Sequence, residues 1–304
     1  MMKRRHFINK IIGSTIFGLG FPLPNFGNEI LKNKKITILH TNDVHSHIDP
    51  FPKDDSFNPS RGGIIARAKL INDIKKDNPF TLILDAGDIF QGTPYFNFFK
   101  GEIELKLMNE LGYNAATLGN HEFDNGVKQL AKSMEFANFP FLNSNYDLKN
   151  TPLENKVEKF KIFELNDVKI GIFGIGVELN GLVDKKLYHG VKYLDPIEIS
   201  YEMTRQLKND ENCDIIICLS HLGYDTGYME GKMCDLNLAK KTKDIDLIIG
   251  GHSHTFMEQP VITENLIGKK VMINQVGCFG LNMGKIDFYL SSTSNYNFSK
   301  NLNV

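Results

Sequence analysis

The chain has 304 residues, 41% of them apolar and 23% charged, so it can bury a large core and is neither a disordered tract nor a fibrous repeat. Its 35 basic and 36 acidic side chains leave a formal charge of −1, which excludes nucleic-acid packaging and similar polyelectrolyte roles. Outside the first ten residues arginine occurs only at Arg61, Arg67 and Arg205, so guanidinium forks contribute little to the recognition of any anion.

The opening MMKRRHFINK, followed by the weakly apolar, glycine-containing IIGSTIFGLGFPLP, resembles a twin-arginine export signal. Residues 1–28 are expected to form that segment and to direct the protein to the periplasm or otherwise out of the cytoplasm. The apolar run from Ile11 to Pro24 is shorter than the roughly 20 residues a spanning helix needs, so no stable membrane span is expected. Without Lys3, Arg4, Arg5 and Lys10 the formal charge of −1 becomes −5, a mildly acidic body.

Beyond the leader, short apolar β-rich runs alternate with amphipathic stretches. Strands are predicted at 36–39, 81–84, 115–118, 139–142, 161–165, 169–173, 215–219, 246–249, 271–275 and 285–290. Helices are predicted over 63–76, 103–111, 126–136, 196–208 and 236–242, and Asn166-Asp167 reads as a two-residue hairpin turn. The pattern argues an α/β protein with two stacked sheets in one domain. Residues 293–304 are Asn/Ser-rich without periodicity and read as a frayed polar tail. Cys213, Cys218, Cys234 and Cys278 show no framework spacing. Cys213 and Cys218, five apart, are expected on opposite faces of a strand, and all four are expected as reduced core thiols.

Chemistry gathers where the apolar strands end. ITILH-TNDVHSH supplies Asp43 and His45, TLIL-DAGD supplies Asp88, and AATL-GNHEFD supplies Asn120, His121 and Asp124. Further on, IIICLS-H supplies His221 and DLIIG-GHSH supplies His252 and His254. Ligands of open α/β sheets bind outside the carboxyl ends of the strands, so these five segments can converge. Carboxylate, amide and imidazole donors suit two divalent cations sharing one carboxylate, with Mn, Zn, Co and Fe all compatible. Such a pair can clamp the attacking and leaving oxygens at phosphorus and acidify a bound water, which makes hydrolysis the natural output.

TNDVHSH, DAGDIFQGTP, LGNHEFDNG, LSHLG and GGHSHT, in this order and at these separations, resemble the catalytic, N-terminal domain of the 5′-nucleotidases among the calcineurin-like metallophosphatases. The resemblance implies a four-layer αββα sandwich of two mixed sheets flanked by helices. It implies one metal held by Asp43, His45, Asp88 and His254 and a second held by Asp88, Asn120, His221 and His252, with Asp88 bridging. It also implies a catalytic dyad, His121 and Asp124, with Asn120 and His121 contacting substrate. The bland alternative for NHEFD is a helix start capped by Asn120 or Asp124.

The expected activity is that of an exported dimetal phosphohydrolase cleaving phosphomonoesters, foremost nucleoside 5′-monophosphates, by in-line attack of a metal-bound hydroxide. The alternatives are a 2′,3′-cyclic nucleotide phosphodiesterase, a thiosulfohydrolase-like sulfur-ester hydrolase, or a non-enzymatic metal-binding accessory subunit. The family usually continues into a second domain that supplies nucleotide specificity. Here either a separate chain carries that domain and docks beside the metals, or the catalytic domain acts alone with loose selectivity. No nucleic acid polymer is expected as a partner. Of the remaining aromatic and basic groups, His40 reads as a core histidine and His189 as a solvated loop residue. His47 reads as a neighbour of the ligand set. Phe96, Phe98 and Phe99 read as core or interface more than as a nucleobase contact, and Arg61-Gly62-Gly63 as a loop-to-helix junction.

Overall fold

The computed structural model describes residues 34–225, 227, 233–290 and 295–304. The export-signal segment expected over residues 1–28 lies outside the described residues. In chain order the first half comprises β1 (Lys34–Thr41), α1 (Ile64–Asp77), β2 (Thr81–Asp85), α2 (Pro94–Phe99), α3 (Glu102–Leu111), β3 (Ala115–Thr117), α4 (Gly126–Ser133), β4 (Phe141–Leu142), β5 (Tyr146–Asp147) and β6 (Val157–Glu158). The second half comprises β7 (Phe160–Leu165), β8 (Val168–Ile175), β9 (Lys192–Tyr193), α5 (Pro196–Arg205), β10 (Ile215–Ser220) and α6 (Asp235–Lys241). It closes with β11 (Leu247–Ile249), β12 (Val261–Glu264), β13 (Lys270–Asn274), β14 (Asn282–Leu290) and β15 (Asn295–Asn303).

Two sheets form the centre: seven strands in the order β15-β14-β1-β2-β3-β4-β6 and six in the order β12-β13-β11-β10-β8-β7. Side-chain alternation along each strand decides the layers. Ile36, Ile38, Leu82 and Leu84 point inward to meet Ile170, Ile172, Ile215, Ile217, Leu219, Leu247 and Ile249 of the other sheet. The intervening Leu39 and Ile83 face outward onto α1, α3 and α4 through Ile71, Ile74, Leu105, Met108 and Leu130. On the far side, Ile216, Cys218 and Ile248 pack under Met203 of α5 and Leu238 of α6. The result is the expected αββα sandwich. Strands β1, β2 and β3 run parallel, as do β10 and β11, so their carboxyl ends open on one rim.

Each predicted strand overlaps an observed one, and the hairpin forms at the expected turn. Leu165 pairs with Val168, and Asn166 and Asp167 both adopt positive φ (52° and 55°), as a type I′ turn requires. The tail is a correction. Residues 295–303 form β15, antiparallel to the whole of β14. Strand β14 offers an open backbone edge, and pairing with it needs no apolar side chain. Amides then add specificity: Asn301 Nδ2 donates to Met257 O at 2.6 Å, and Arg61 Nη2 donates to Asn303 Oδ1 at 3.3 Å. Leu302 and Val304 pack onto the outer core. The cysteines are free and buried, but Cys213 precedes β10 and shares a core cluster with Cys218, so strand parity does not separate them. No helix of the described residues is long and apolar enough to cross a membrane.

Candidate metal centre

Five loops, each leaving the carboxyl end of a parallel strand, meet at the rim. The loops after β1 and β2 are laced together by backbone bonds: Asp43 N to Gly87 O (2.9 Å), His45 N to Asp88 O (3.0 Å) and Ser46 N to Ile89 O (2.8 Å). The loop after β3 closes over them because Gly119 has no side chain; a Cβ there would stand 2.2 Å from Asp88 Oδ1. Five of the expected ligands take left-handed backbone: Asp43 (φ 51°), His45 (51°), Asp88 (54°), His252 (74°) and His254 (52°). Such conformations cost on the order of 1 kcal/mol each and persist where the surroundings fix them, as at binding sites.

Two groups of donors result. Asp43, His45 and His254 have ligand atoms within 4.8 Å of one another, and so have Asp88, His221 and His252. Asp88 Oδ2 faces both groups, 3.0 Å from His221 Nε2 and 3.9 Å from His45 Nε2. Its Oδ1 accepts the backbone N–H of His121 at 2.8 Å. Asp43 is oriented by the Asn42 amide (2.6 Å) and by the His252 backbone N–H (3.0 Å). The imidazoles are set by their second nitrogens, since Nδ1 of His221 lies 2.6 Å from Ala86 O and Nδ1 of His45 lies 3.2 Å from Phe90 O. A ring that donates Nδ1–H to a carbonyl turns its Nε2 lone pair toward the gap.

Two buried carboxylates dominate the electrostatics of the rim. Asp43 and Asp88 are 0% and 2% exposed, and among the described residues no lysine or arginine pairs with either. Burial opposes the charge on Asp88, yet the His221 and His45 imidazoles hold its carboxyl well below the usual range. Burial also opposes an imidazolium at His221, and Asp88 with Asp43 nevertheless lifts it to about 10. His254 rises to about 10 chiefly through Asp43, against its own burial, whereas burial and His221 hold His252 at about 4. Asn120 Oδ1 is buried and accepts no hydrogen bond, and the Nε2 atoms of His45 and His254 stand 2.9 Å apart. Two buried carboxylates, an orphaned amide oxygen and converging imidazole lone pairs fit first-row divalent cations.

At the open edge His121 Nδ1 lies 2.7 Å from Asp124 Oδ2, with side chains 33% and 28% exposed. Burial works against protonation of His121, but the bond to Asp124 together with the negative charges of Asp88, Asp124 and Glu122 outweighs it, raising the imidazole above its ordinary value. The capping alternative is not what forms. Asn120 precedes a short 3₁₀ turn without making a side-chain cap bond, and Asp124 spends its carboxylate on His121.

Glu122 was not singled out from sequence. It is 2% exposed and gathers the backbone N–H groups of Asp88 (2.9 Å), Ile89 (2.8 Å), Phe90 (3.3 Å) and Gly119 (2.6 Å), clamping the second loop to the third. The available signal was an acid three residues after Gly119, the reach-back spacing of a capping box. His40 is wholly buried with Nε2 2.9 Å from the Asn274 amide, a core histidine. His47 lends no atom to either donor group; its Nδ1 bonds the carbonyls of Val44 and His45 instead. His189 is exposed. Phe96 is core, whereas Phe98 and Phe99 are exposed.

A four-layer αββα sandwich with a mixed carboxylate, amide and imidazole donor set at its strand ends is the architecture of a metallophosphatase. A family model described as calcineurin-like phosphoesterase matches residues 36–256, and the chain belongs to that family, whose members use a dimetal centre. The 5′-nucleotidase of Bos taurus is 35% identical over 278 residues, covering 84% of this chain and 46% of that protein. The crystal structure of the 5′-nucleotidase precursor from Thermus thermophilus superposes with a TM-score of 0.77 at 28% identity, covering 89% of this chain and 55% of the other. The calcineurin-like phosphoesterase YfkN from Bacillus subtilis gives 0.73 at 28% identity, covering 89% and 91%. The chain spans about half the length of the curated relatives it matches.

Proposed function

We propose that this chain is an exported, metal-dependent phosphomonoesterase whose foremost substrates are nucleoside 5′-monophosphates. The observation that carries the reading is the position of Asp88 Oδ2, which belongs to one three-ligand group and faces the other, with the His121–Asp124 pair at the open edge. Kinship to 5′-nucleotidases supports the substrate class. The catalytic domain, expected over residues 35–292, extends through β15, which completes its first sheet.

In this reading Asp43, His45, Asp88 and His254 hold one cation and Asp88, Asn120, His221 and His252 the other. When bound, the cations would polarise the phosphoryl oxygens and make a water acidic enough to attack near neutral pH. The rest falls to the chain's own groups. Asp124 fixes the tilt of His121 and favours its charged form, leaving the Nε2 proton for the departing alkoxide. The backbone N–H of His121, anchored on Asp88, ties that ring to the donor set, so proton donor and phosphoryl site are held as one body.

The test is hydrolysis by the purified chain loaded with Mn, Zn or Co, read as phosphate from AMP and sugar phosphates, as 2′- or 3′-AMP from 2′,3′-cyclic AMP, and as sulfate from thiosulfonates. AMP is expected to give the highest kcat/KM. Turnover of the cyclic ester or the sulfur ester alone would reassign the substrate, and no turnover with both sites loaded would mark a binding subunit.

A further inference from the structure

Beside the first donor group stands a set of rings that metal binding does not use. Phe279 lies with its ring centroid 5.9 Å from both His45 and His254. His47 packs against Phe279 at 4.4 Å, and Phe51 stacks on His47 at 5.3 Å with an interplanar angle of 17°. Phe51 also lies 6.2 Å from Phe279, so the three rings form one cluster, and all three are partly exposed. His254, at their inner end, has a side chain 39% exposed, so the set borders the accessible side of the centre. His121 stands 5.2 Å from His45, so that imidazole neighbours both the expected proton donor and Phe279.

The set is fixed rather than loosely packed. Phe279 holds φ at +60°, a value that is a genuine outlier for a bulky side chain. Its N–H donates to Asp43 O at 2.7 Å, so the strained turn is tied to a residue of the donor group. His47 is pinned through Nδ1 to the carbonyls of Val44 and His45. A core ring would be buried, and a random surface ring would not sit in left-handed backbone. Strain retained beside a site points to a ring that must face a particular way.

We propose that Phe279, braced by His47 and Phe51, is a specificity wall that stacks against a planar ring, a nucleobase or an aryl group, in the alcohol portion of the phosphomonoester. The assignment rests on the phosphomonoesterase reading and adds to it a base contact supplied by this chain itself.

The test compares wild type with Phe279→Leu, which keeps apolar bulk in the same backbone but removes the ring. Stacking of a base on an aromatic side chain is worth about 1–3 kcal/mol. The variant should therefore lose about 5- to 150-fold in kcat/KM for AMP and phenyl phosphate relative to glycerol phosphate. Metal content by elemental analysis should not change. Loss by one common factor on all three esters, or no loss, would overturn the wall and leave Phe279 as a prop for His45. A second arm is independent of turnover: calorimetric affinity for benzylphosphonate against methylphosphonate. Wild type should prefer the aryl compound and Phe279→Leu should not, and equal affinities in wild type would sink the proposal. Failure to hydrolyse any ester would instead remove the phosphomonoesterase reading, while the phosphonate arm still decides the wall.

Discussion

Asp88 accepts the backbone N–H of His121 through one carboxylate oxygen at 2.8 Å while its other oxygen faces the gap between the donor groups. The ring expected to deliver a proton and the carboxylate expected to bridge are therefore one mechanical unit. His121→Ala should lower kcat by about 10² to 10⁴, the usual scale for loss of a general acid, with both metals retained. Steady-state kinetics paired with elemental analysis checks it, and an unchanged rate would take His121 out of the mechanism.

Glu122 makes a second case for positioning. Glu122→Ala strips the partner from four backbone donors that lie in the two central loops. Buried unsatisfied donors cost about 1–3 kcal/mol each, with part of the loss recovered if water enters. Urea denaturation should show a loss of at least about 3 kcal/mol. Stability equal to wild type would mean the loops hold their shape without this clamp.

Removing metal should weaken the fold as well as the activity. Asp43 and Asp88 are buried without lysine or arginine partners among the described residues, so cations that bind only the folded chain stabilise it by mass action, about 2.7 kcal/mol at a hundredfold excess over Kd. Chelator should lower Tm, and Mn, Zn or Co should restore it in proportion to the logarithm of concentration. A Tm indifferent to chelator would contradict the donor set.

Away from the rim, Asp287 tests the seven-stranded sheet. Burial opposes its charge, but Lys285, the Thr37 hydroxyl (2.6 Å) and Lys35 (3.2 Å) hold its carboxyl below the usual range. A carboxyl that titrates lower in the folded than in the unfolded chain stabilises above the unfolded value, near pH 3.9, and loses that contribution as pH falls further. Asp287→Asn should cost about 1–3 kcal/mol at neutral pH. The gap to wild type should close as pH drops below about 3.9. A gap independent of pH would show packing, not charge, at work.

The layers were legible because strand parity and helical spacing are local signals. Ile36 and Ile38 against Leu39, or Ile215 and Ile217 against Ile216, announce which face each residue takes. The donor residues were legible for a related reason: each ends an apolar run, and a polar ligand cannot hide inside one. What escaped depends on partners far along the chain. β15 owes its form to the open edge of β14, which its own composition does not advertise. Glu122 looks like any helix-start acid until the loop after β2 presents its N–H groups. Phe279 sits in VGCFGLN, where nothing local reveals left-handed backbone or the approach of His47 from more than two hundred residues earlier.

The donor loops are recruited from both sheets, with Asp43, Asp88 and Asn120 following strands of one and His221, His252 and His254 following strands of the other. Neither sheet owns a complete set, and bound ions would act as rivets through the seam between them. A substitution deep in the interlayer packing, such as at Ile217 or Leu84, would then slide one half against the other and be felt at the rim as altered ion affinity, with no ligand touched.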